Sequence, residues 1–213
     1  MTLFFYLVIA FLLGGIPFGL IAGYIAGCGD IRKQGSGNIG ATNVWRVAGP
    51  TAAVFVLVCD IGKGVFGVLL VSVFAQTAWP IPVAMAALAG GIAVVLGHAF
   101  SPFLKFRGGK GVSTALGVFL SLMPAETGIA FGVFLVVVLI SRYISLGSII
   151  GAITFAVVLW IERYAFGKPV EFVYVIAGTV IAALIMLTHR QNIRRLRQGT
   201  ENRIRLKKEV NAR

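Results

Sequence analysis

The residues able to do chemistry fall in three short polar stretches separated by long apolar runs. The first, Arg32 to Arg46, reads Arg-Lys-Gln-Gly-Ser-Gly-Asn-Ile-Gly-Ala-Thr-Asn-Val-Trp-Arg. Gly35, Gly37 and Gly40 let backbone N–H groups approach a ligand. Ser36, Asn38, Thr42 and Asn43 add short hydrogen-bonding side chains, and Arg32, Lys33 and Arg46 supply positive charge. That set suits a phosphate. The plainer reading is a flexible Gly/Ser loop, but Asp30 is the only acid nearby and a second stretch repeats the chemistry. In that second stretch Arg107, Gly108, Gly109, Lys110 and Gly111 precede Ser113 and Thr114 at an expected helix start, again offering amides and cations to an anion. The third begins His189-Arg-Gln-Asn192, with His189 and Asn192 one helical turn apart.

Several other chemistries are excluded. Gly35-x-Gly37-x-x-Gly40 fits the dinucleotide-binding expression, but no strand precedes it. Lys110 is followed by Gly111 and no glycine lies five residues before it, so there is no P-loop. His98 and His189 sit in no metal-ligand motif, and Cys28 and Cys59 read as packing residues. No cofactor and no metal are expected.

The elements that position these stretches must be membrane helices. Hydrophobic residues make up 58% of the chain and charged residues 12%, far from the composition of a soluble domain. The net charge of +12 is spread over short loops and a tail, which sets membrane orientation and does not indicate nucleic acid. Seven spans are expected: Leu3–Ala26, Thr51–Ala75, Val83–Phe100, two short ones between Ser113 and Arg142 turning at Met123-Pro124-Ala125-Glu126, Ser145–Trp160 and Phe172–Thr188. A single kinked helix from Ser113 to Arg142 is the alternative, and the basic residues favour two spans. Asn38 can cap a short helix ending before Gly49-Pro50. Trp79-Pro80-Ile81-Pro82 and Lys168-Pro169 read as external turns.

The fold class is therefore all-α, a polytopic integral membrane protein with its N-terminus outside and its C-terminus cytoplasmic. One domain is expected over 1–213, with 189–213 a basic cytoplasmic tail holding nine Lys or Arg against Glu201 and Glu209. Both glycine-rich loops, Arg142 and the His189 segment then reach one membrane face, which argues for one composite site. Asp60 and Lys63, one turn apart inside the second span, read as a structural ion pair, with direct substrate contact as the alternative. His98 reads as a helix-end residue. From the residues alone, two anion sites facing lipid suggest an enzyme joining a phosphorylated polar molecule to an apolar one. An anion transporter is the competing class, although its site would lie nearer the bilayer midplane.

Three stretches carry a resemblance: Ser36-Gly-Asn-Ile-Gly-Ala-Thr-Asn-Val-Trp-Arg46, Phe106-Arg-Gly-Gly-Lys-Gly-Val-Ser-Thr114, and His189-Arg-Gln-Asn-Ile-Arg-Arg-Leu196 followed by Gly199-Thr-Glu201. Together with Asp60-x-x-Lys63-Gly64 and Gly97-His98, they resemble the cytoplasmic motifs of the bacterial acyl-phosphate:glycerol-3-phosphate acyltransferases (PlsY) over nearly the whole chain. The resemblance implies transfer of a fatty acyl group from acyl-phosphate to the 1-hydroxyl of sn-glycerol 3-phosphate in the bacterial inner membrane, with the active site on the cytoplasmic face and independence of acyl-CoA. Neither histidine is followed four residues later by Asp, in agreement with that independence. It also implies that Ser36 and Arg46 are catalytic, that the Gly108–Gly111 loop helps bind glycerol phosphate, that His189 and Asn192 support activity and that Glu201 is structural.

On physical grounds Arg46 and Lys110 can neutralise the departing phosphate and the oxyanion. The expected substrate-binding set is Gly35, Gly37, Asn38, Gly40, Thr42 and Asn43 from the first loop, Arg107, Gly108, Gly109, Gly111, Ser113 and Thr114 from the second, and Arg142. His189 and the donor phosphate are alternative acceptors of the hydroxyl proton. The expected partners are acyl-phosphate, glycerol 3-phosphate and membrane lipid, and the protein is expected to be a monomer.

Overall fold

The computed structural model describes residues 2–78, 81–167 and 170–204, and all of the regular secondary structure there is helical. Trp79 and Pro80, Lys168-Pro169 and the tail beyond Ile204 lie outside the described residues. The helices are α1 (Thr2–Gly15), α2 (Phe18–Ile25), α3 (Ala41–Ala78), α4 (Val83–Ala99), α5 (Val112–Leu122), α6 (Pro124–Ser141), α7 (Ile144–Tyr164), α8 (Phe172–Thr188) and α9 (Arg190–Arg197).

Their breaks follow from the residues at them. Pro17 has no N–H to donate, and α1 stops just before it. The carbonyls freed at this break are taken by side chains from elsewhere. Ser101 Oγ donates to the Gly15 carbonyl at 2.6 Å and Lys63 Nζ to the Ile16 carbonyl at 3.2 Å, which removes the cost of open backbone groups inside a membrane protein. Helix α3 turns at Gly49, whose φ of 86° and ψ of −179° lie outside the helical region, so the segment leaving the first loop meets the second span at the position Gly49-Pro50 predicts. Met123 divides α5 from α6 as the two-helix reading expects.

Helix α1 packs on α4, α3 on α4 and α5, α6 on α7, and α7 on α8. Small residues permit these contacts: a Cβ on Gly97 would fall 1.9 Å from the Phe11 carbonyl, and one on Gly117 would fall 2.1 Å from that of Ile61. Val94, Val95, Val118, Leu159 and Val175 fill the centre, while Val58, Phe66, Leu139, Ile140, Val180 and Leu187 face outward, as expected where the surrounding solvent is hydrocarbon.

Among the described residues, five helical segments are long and apolar enough to cross a membrane, and six if α8 and α9, bent by 59°, form one span. The difference from the expected seven is α5, whose 11 residues reach only about 16 Å of a hydrocarbon core of roughly 30 Å. The protein is thus an all-helical, multi-pass integral membrane protein. At the start of the basic tail, Asn192 and Glu201 are buried against the helices.

Candidate active site

The first loop is built around Asn43 in the opening turn of α3. Its buried amide donates to the Ile31 carbonyl at 3.0 Å and the Gln34 carbonyl at 3.2 Å, and its Oδ1 accepts from the Ser36 N–H at 2.7 Å. Gly35 is fixed by this arrangement: its φ is 59°, and a Cβ there would fall 2.3 Å from Asn43 Oδ1. Asn38 Oδ1 accepts from the Gly40 N–H at 2.8 Å, and the Gly37 N–H is taken by the Gln34 carbonyl. Helix α3 accordingly starts at Ala41, and Asn38 forms a turn ahead of it instead of capping it.

Within the loop, Asn43 thus uses both ends of its amide, Asn38 its Oδ1, and Gly37 and Gly40 their N–H groups. What the loop presents is half-buried Ser36, half-buried Thr42 and, one turn on from Thr42, Arg46. Arg32 is committed elsewhere, since its guanidinium meets both Asp30 carboxylate oxygens, at 2.9 and 2.7 Å.

The second loop folds back over the end of α4. Gly108 N–H donates to the Ala99 carbonyl at 3.1 Å and Gly109 N–H to the His98 carbonyl at 2.9 Å. These two amides of the expected binding loop pair with the helix end, as buried backbone donors must. Gly111, with φ 81°, starts α5, and no hydrogen bond is recorded among the described residues for the N–H groups of Val112, Ser113 and Thr114. Thr114 is wholly buried, with its hydroxyl out of reach of a substrate. Ser113 is half-buried, and Arg107 is exposed.

Below this loop sits a buried charge cluster. Lys63 Nζ lies 2.8 Å from Asp60 Oδ1, and His98 Nδ1 lies 3.6 Å from the same oxygen. The opposite edge of the His98 ring touches Gly109, where a Cβ would fall 2.1 Å from Nε2. Asp60 and Lys63 thus hold α3, α4 and the α1–α2 break together, and His98 carries that rigidity to the residue beside Lys110.

The third stretch closes over the second. Thr188 Oγ1 donates to the Lys110 carbonyl at 3.1 Å. Lys110 Nζ donates to Asn192 Oδ1 at 2.5 Å, and Asn192 Nδ2 donates to Glu201 Oε1 at 2.7 Å. Glu201 also accepts from Ser145 Oγ at 3.0 Å and from Arg195 Nε at 2.7 Å. Burial alone would raise the Glu201 carboxyl, but these hydrogen bonds, that of Arg195 above all, hold it below its ordinary range. His189 is buried, with Nδ1 2.8 Å from the Ile185 carbonyl. A carbonyl only accepts, so Nδ1 bears the proton and Nε2 carries the lone pair.

The electrostatics join all three stretches. Arg46 feels the charges of Glu201 and Arg195, and Lys110 feels those of Glu201, Arg195 and Arg46. Arg46, Lys110 and Arg195 thus lie within electrostatic range of one carboxylate, to which Arg195 alone of the three is directly bonded, and positive charge is in excess. Burial, assisted by the two arginines and opposed by Glu201, lowers Lys110 to about 8. Burial and then the Lys110 charge lower His189 to about 4, so it is neutral at pH 7. Such a site can hold a phosphate, stabilise a developing oxyanion and accept a proton at Nε2.

Arg142 stands apart from this cluster. It caps α6 with φ 62° and lines a different cavity, with Tyr143, Leu196 and Arg203. Sequence reasoning missed Ser145, Thr188 and Arg195. The available signals were a serine just past Arg142 at a span's edge, a threonine beside His189, and an arginine one turn after Asn192.

Comparison with known proteins identifies the family and the fold. The profile of the family described as glycerol-3-phosphate acyltransferase matches residues 4–199. The glycerol-3-phosphate acyltransferase of Chlorobium phaeobacteroides (strain BS1) is 40% identical over 95% of this chain and 97% of its own. That of Carboxydothermus hydrogenoformans is 42% identical over 92% and 93%. The crystal structure of PlsY (YgiH), an integral membrane glycerol 3-phosphate acyltransferase, in its glycerol 3-phosphate form superposes with a TM-score of 0.83 at 36% identity, covering 96% of each chain. Its lysophosphatidic acid form gives 0.81 at 35%. With the profile spanning most of its length and relatives near 40% identity covering nearly all of it, the chain belongs to the glycerol-3-phosphate acyltransferase family.

Proposed function

We propose that the protein moves a fatty acyl group from acyl-phosphate to the 1-hydroxyl of sn-glycerol 3-phosphate, forming lysophosphatidate and inorganic phosphate for phospholipid synthesis. Family membership supports the reaction class, and one observation supports the chemistry: Lys110 and Arg195 are joined through Asn192 and the Glu201 carboxylate, with Arg46 near enough to feel the charges of Glu201 and Arg195, so cations outnumber the single carboxylate. The acceptor oxygen attacks the acyl carbonyl, the carbonyl carbon–phosphate oxygen bond breaks, and the electron pair leaves with the phosphate.

Lys110 and Arg46 stabilise the carbonyl oxyanion and the departing phosphate. Asn192 aims Lys110, Glu201 aims Asn192 and Arg195, and Ser145 steadies Glu201. The hydroxyl proton goes to the leaving phosphate or to His189 Nε2, whose neutral ring with Nδ1 occupied has the required lone pair. Transfer is direct, with Ser36 Oγ hydrogen-bonded to a phosphate oxygen and no acyl-enzyme formed. Thr42, Ser113 and the start of α5 add donors at the rim. Arg107 at the mouth attracts the anionic substrates.

In the membrane, the chain crosses a bacterial inner membrane seven times as a single-domain monomer, with the short α5 and α8 counted as crossings, the N-terminus outside and the C-terminus cytoplasmic. The first loop, the Lys105–Lys110 loop, Arg142 and α9 carry most of the basic residues and lie on the cytoplasmic side. The test is product analysis with purified protein. Palmitoyl-phosphate and glycerol 3-phosphate must yield 1-palmitoyl-lysophosphatidate, and palmitoyl-CoA must not replace the donor. Passage of phosphate across sealed vesicles without acyl transfer would assign a transporter instead.

A further inference from the structure

A second cationic site lies outside the reacting cluster. A cavity of about 540 Å³ opens where α6 ends and α7 begins, lined by Arg142, Arg203 and Tyr143 and by the apolar side chains of Ile140, Leu146 and Leu196. No carboxylate is among its lining residues. Lys110, His189, Asn192 and Arg46 do not reach it, and the Arg195–Glu201 pair belongs to the neighbouring network.

The two arginines are held in different ways. Arg203 Nε donates to the Tyr143 hydroxyl at 2.9 Å, and its guanidinium carbon lies 5.2 Å from the ring centroid, leaving both terminal nitrogens without a partner among the described residues. The Arg142 carbonyl accepts from the Ile204 N–H at 2.9 Å, while its exposed guanidinium has no hydrogen-bonded or ion-paired partner among the described residues. The wall continues into Leu139 and Ile140, which are 76% and 81% exposed at the end of a membrane helix. An anionic head beside bare apolar surface is the chemistry of a lipid.

We infer that this cavity binds the phosphate headgroup of an anionic glycerophospholipid between Arg142 and Arg203, with an acyl chain along Leu139 and Ile140. The ligand sits at the membrane surface as a resident lipid and is not a reactant. Arg203 and Ile204 follow Glu201 by two and three residues, so the bound headgroup anchors the segment that delivers Glu201 to the active site. The inference rests on the membrane placement given above but requires no turnover.

The test is native mass spectrometry of the detergent-purified full chain, incubated with phosphatidylglycerol or phosphatidylcholine. Wild type retains one phosphatidylglycerol in preference to phosphatidylcholine, and R142Q/R203Q loses about fivefold in retention for each arginine removed. Neither inorganic phosphate nor glycerol 3-phosphate displaces the lipid. Equal retention by wild type and variant, or equal retention of the two lipids, overturns the inference. Displacement by phosphate or glycerol 3-phosphate also overturns it and makes the cavity a soluble-anion or substrate site. If the double variant does not fold, R203Q alone serves, because the lost guanidinium touches only Tyr143 among the described residues. Failure of acyl transfer with lipid still retained would reject the proposed reaction and leave this site standing.

Discussion

Lys110 Nζ and Asn192 Oδ1 meet at 2.5 Å across 82 residues of sequence, and this bond joins the second glycine-rich loop to the helix that follows His189. Asn192 is saturated on both sides, because its amide nitrogen is given to Glu201. Replacing it with alanine leaves the half-buried ammonium and the carboxylate each short of a partner. N192A is therefore expected to lower kcat by about 10- to 100-fold while the protein remains folded. Steady-state kinetics on a variant with an unchanged thermal transition checks this, and an unchanged kcat contradicts it.

The pH profile of kcat/KM should be set by Lys110 and His189. Lys110 acts as a cation and titrates at about 8, so raising the pH through that value removes the charge and activity falls. His189 accepts a proton only when neutral and titrates at about 4, so activity falls only as the pH drops through that value. An acid limb near 4 that disappears in H189Q is the expected result. A limb near 6 that survives in H189Q would belong to a substrate phosphate, whose second ionisation lies there, and would contradict His189 as the group that sets the acid limb.

Gly109 and His98 form a lock beneath Lys110. G109A forces a methyl group against the His98 ring and should shift the Lys110 loop, costing about tenfold in kcat/KM. Because the clash is with a side chain, H98A should recover much of that loss in the double variant. Additive losses would show that Gly109 matters for a reason other than this contact. D60N leaves Lys63 buried without its counter-ion, a change that commonly costs about 3–5 kcal/mol, and should lower thermal stability before it alters KM.

Ser145 offers Glu201 one of its three hydrogen bonds. S145A should reduce kcat about fivefold, the effect of one net hydrogen bond, and S145T should restore part of it. A loss confined to KM for glycerol 3-phosphate would instead mean that the hydroxyl touches substrate.

What was legible in the sequence is what local chemistry dictates. The break at Gly49-Pro50, the division at Met123-Pro124 and the clustering of polar motifs follow from residue type and spacing. That the N–H groups of Gly37, Gly40, Gly108 and Gly109 pair with nearby acceptors was not legible, because composition does not reveal such obligations. The bracing role of Asn43 in the first loop was equally hidden, because an amide suits a loop or a ligand. Ser145 and Arg195 escaped notice because their partner, Glu201, is reached only through a chain reversal after α9, and no periodicity reports a contact of 56 residues' separation. The pairing of Arg142 with Arg203 in one cavity was hidden too, because sharing a membrane face is a weaker condition than sharing a cavity.

The most direct test of the account is phosphate release from palmitoyl-phosphate by the purified protein, followed with and without glycerol 3-phosphate, in wild type and in Ser36→Ala. Release that requires the acceptor, disappears in the variant and leaves no acyl adduct on Ser36 by mass spectrometry is the predicted result. Release without acceptor, or an acyl-Ser36 intermediate that glycerol 3-phosphate discharges, would contradict direct transfer at this site.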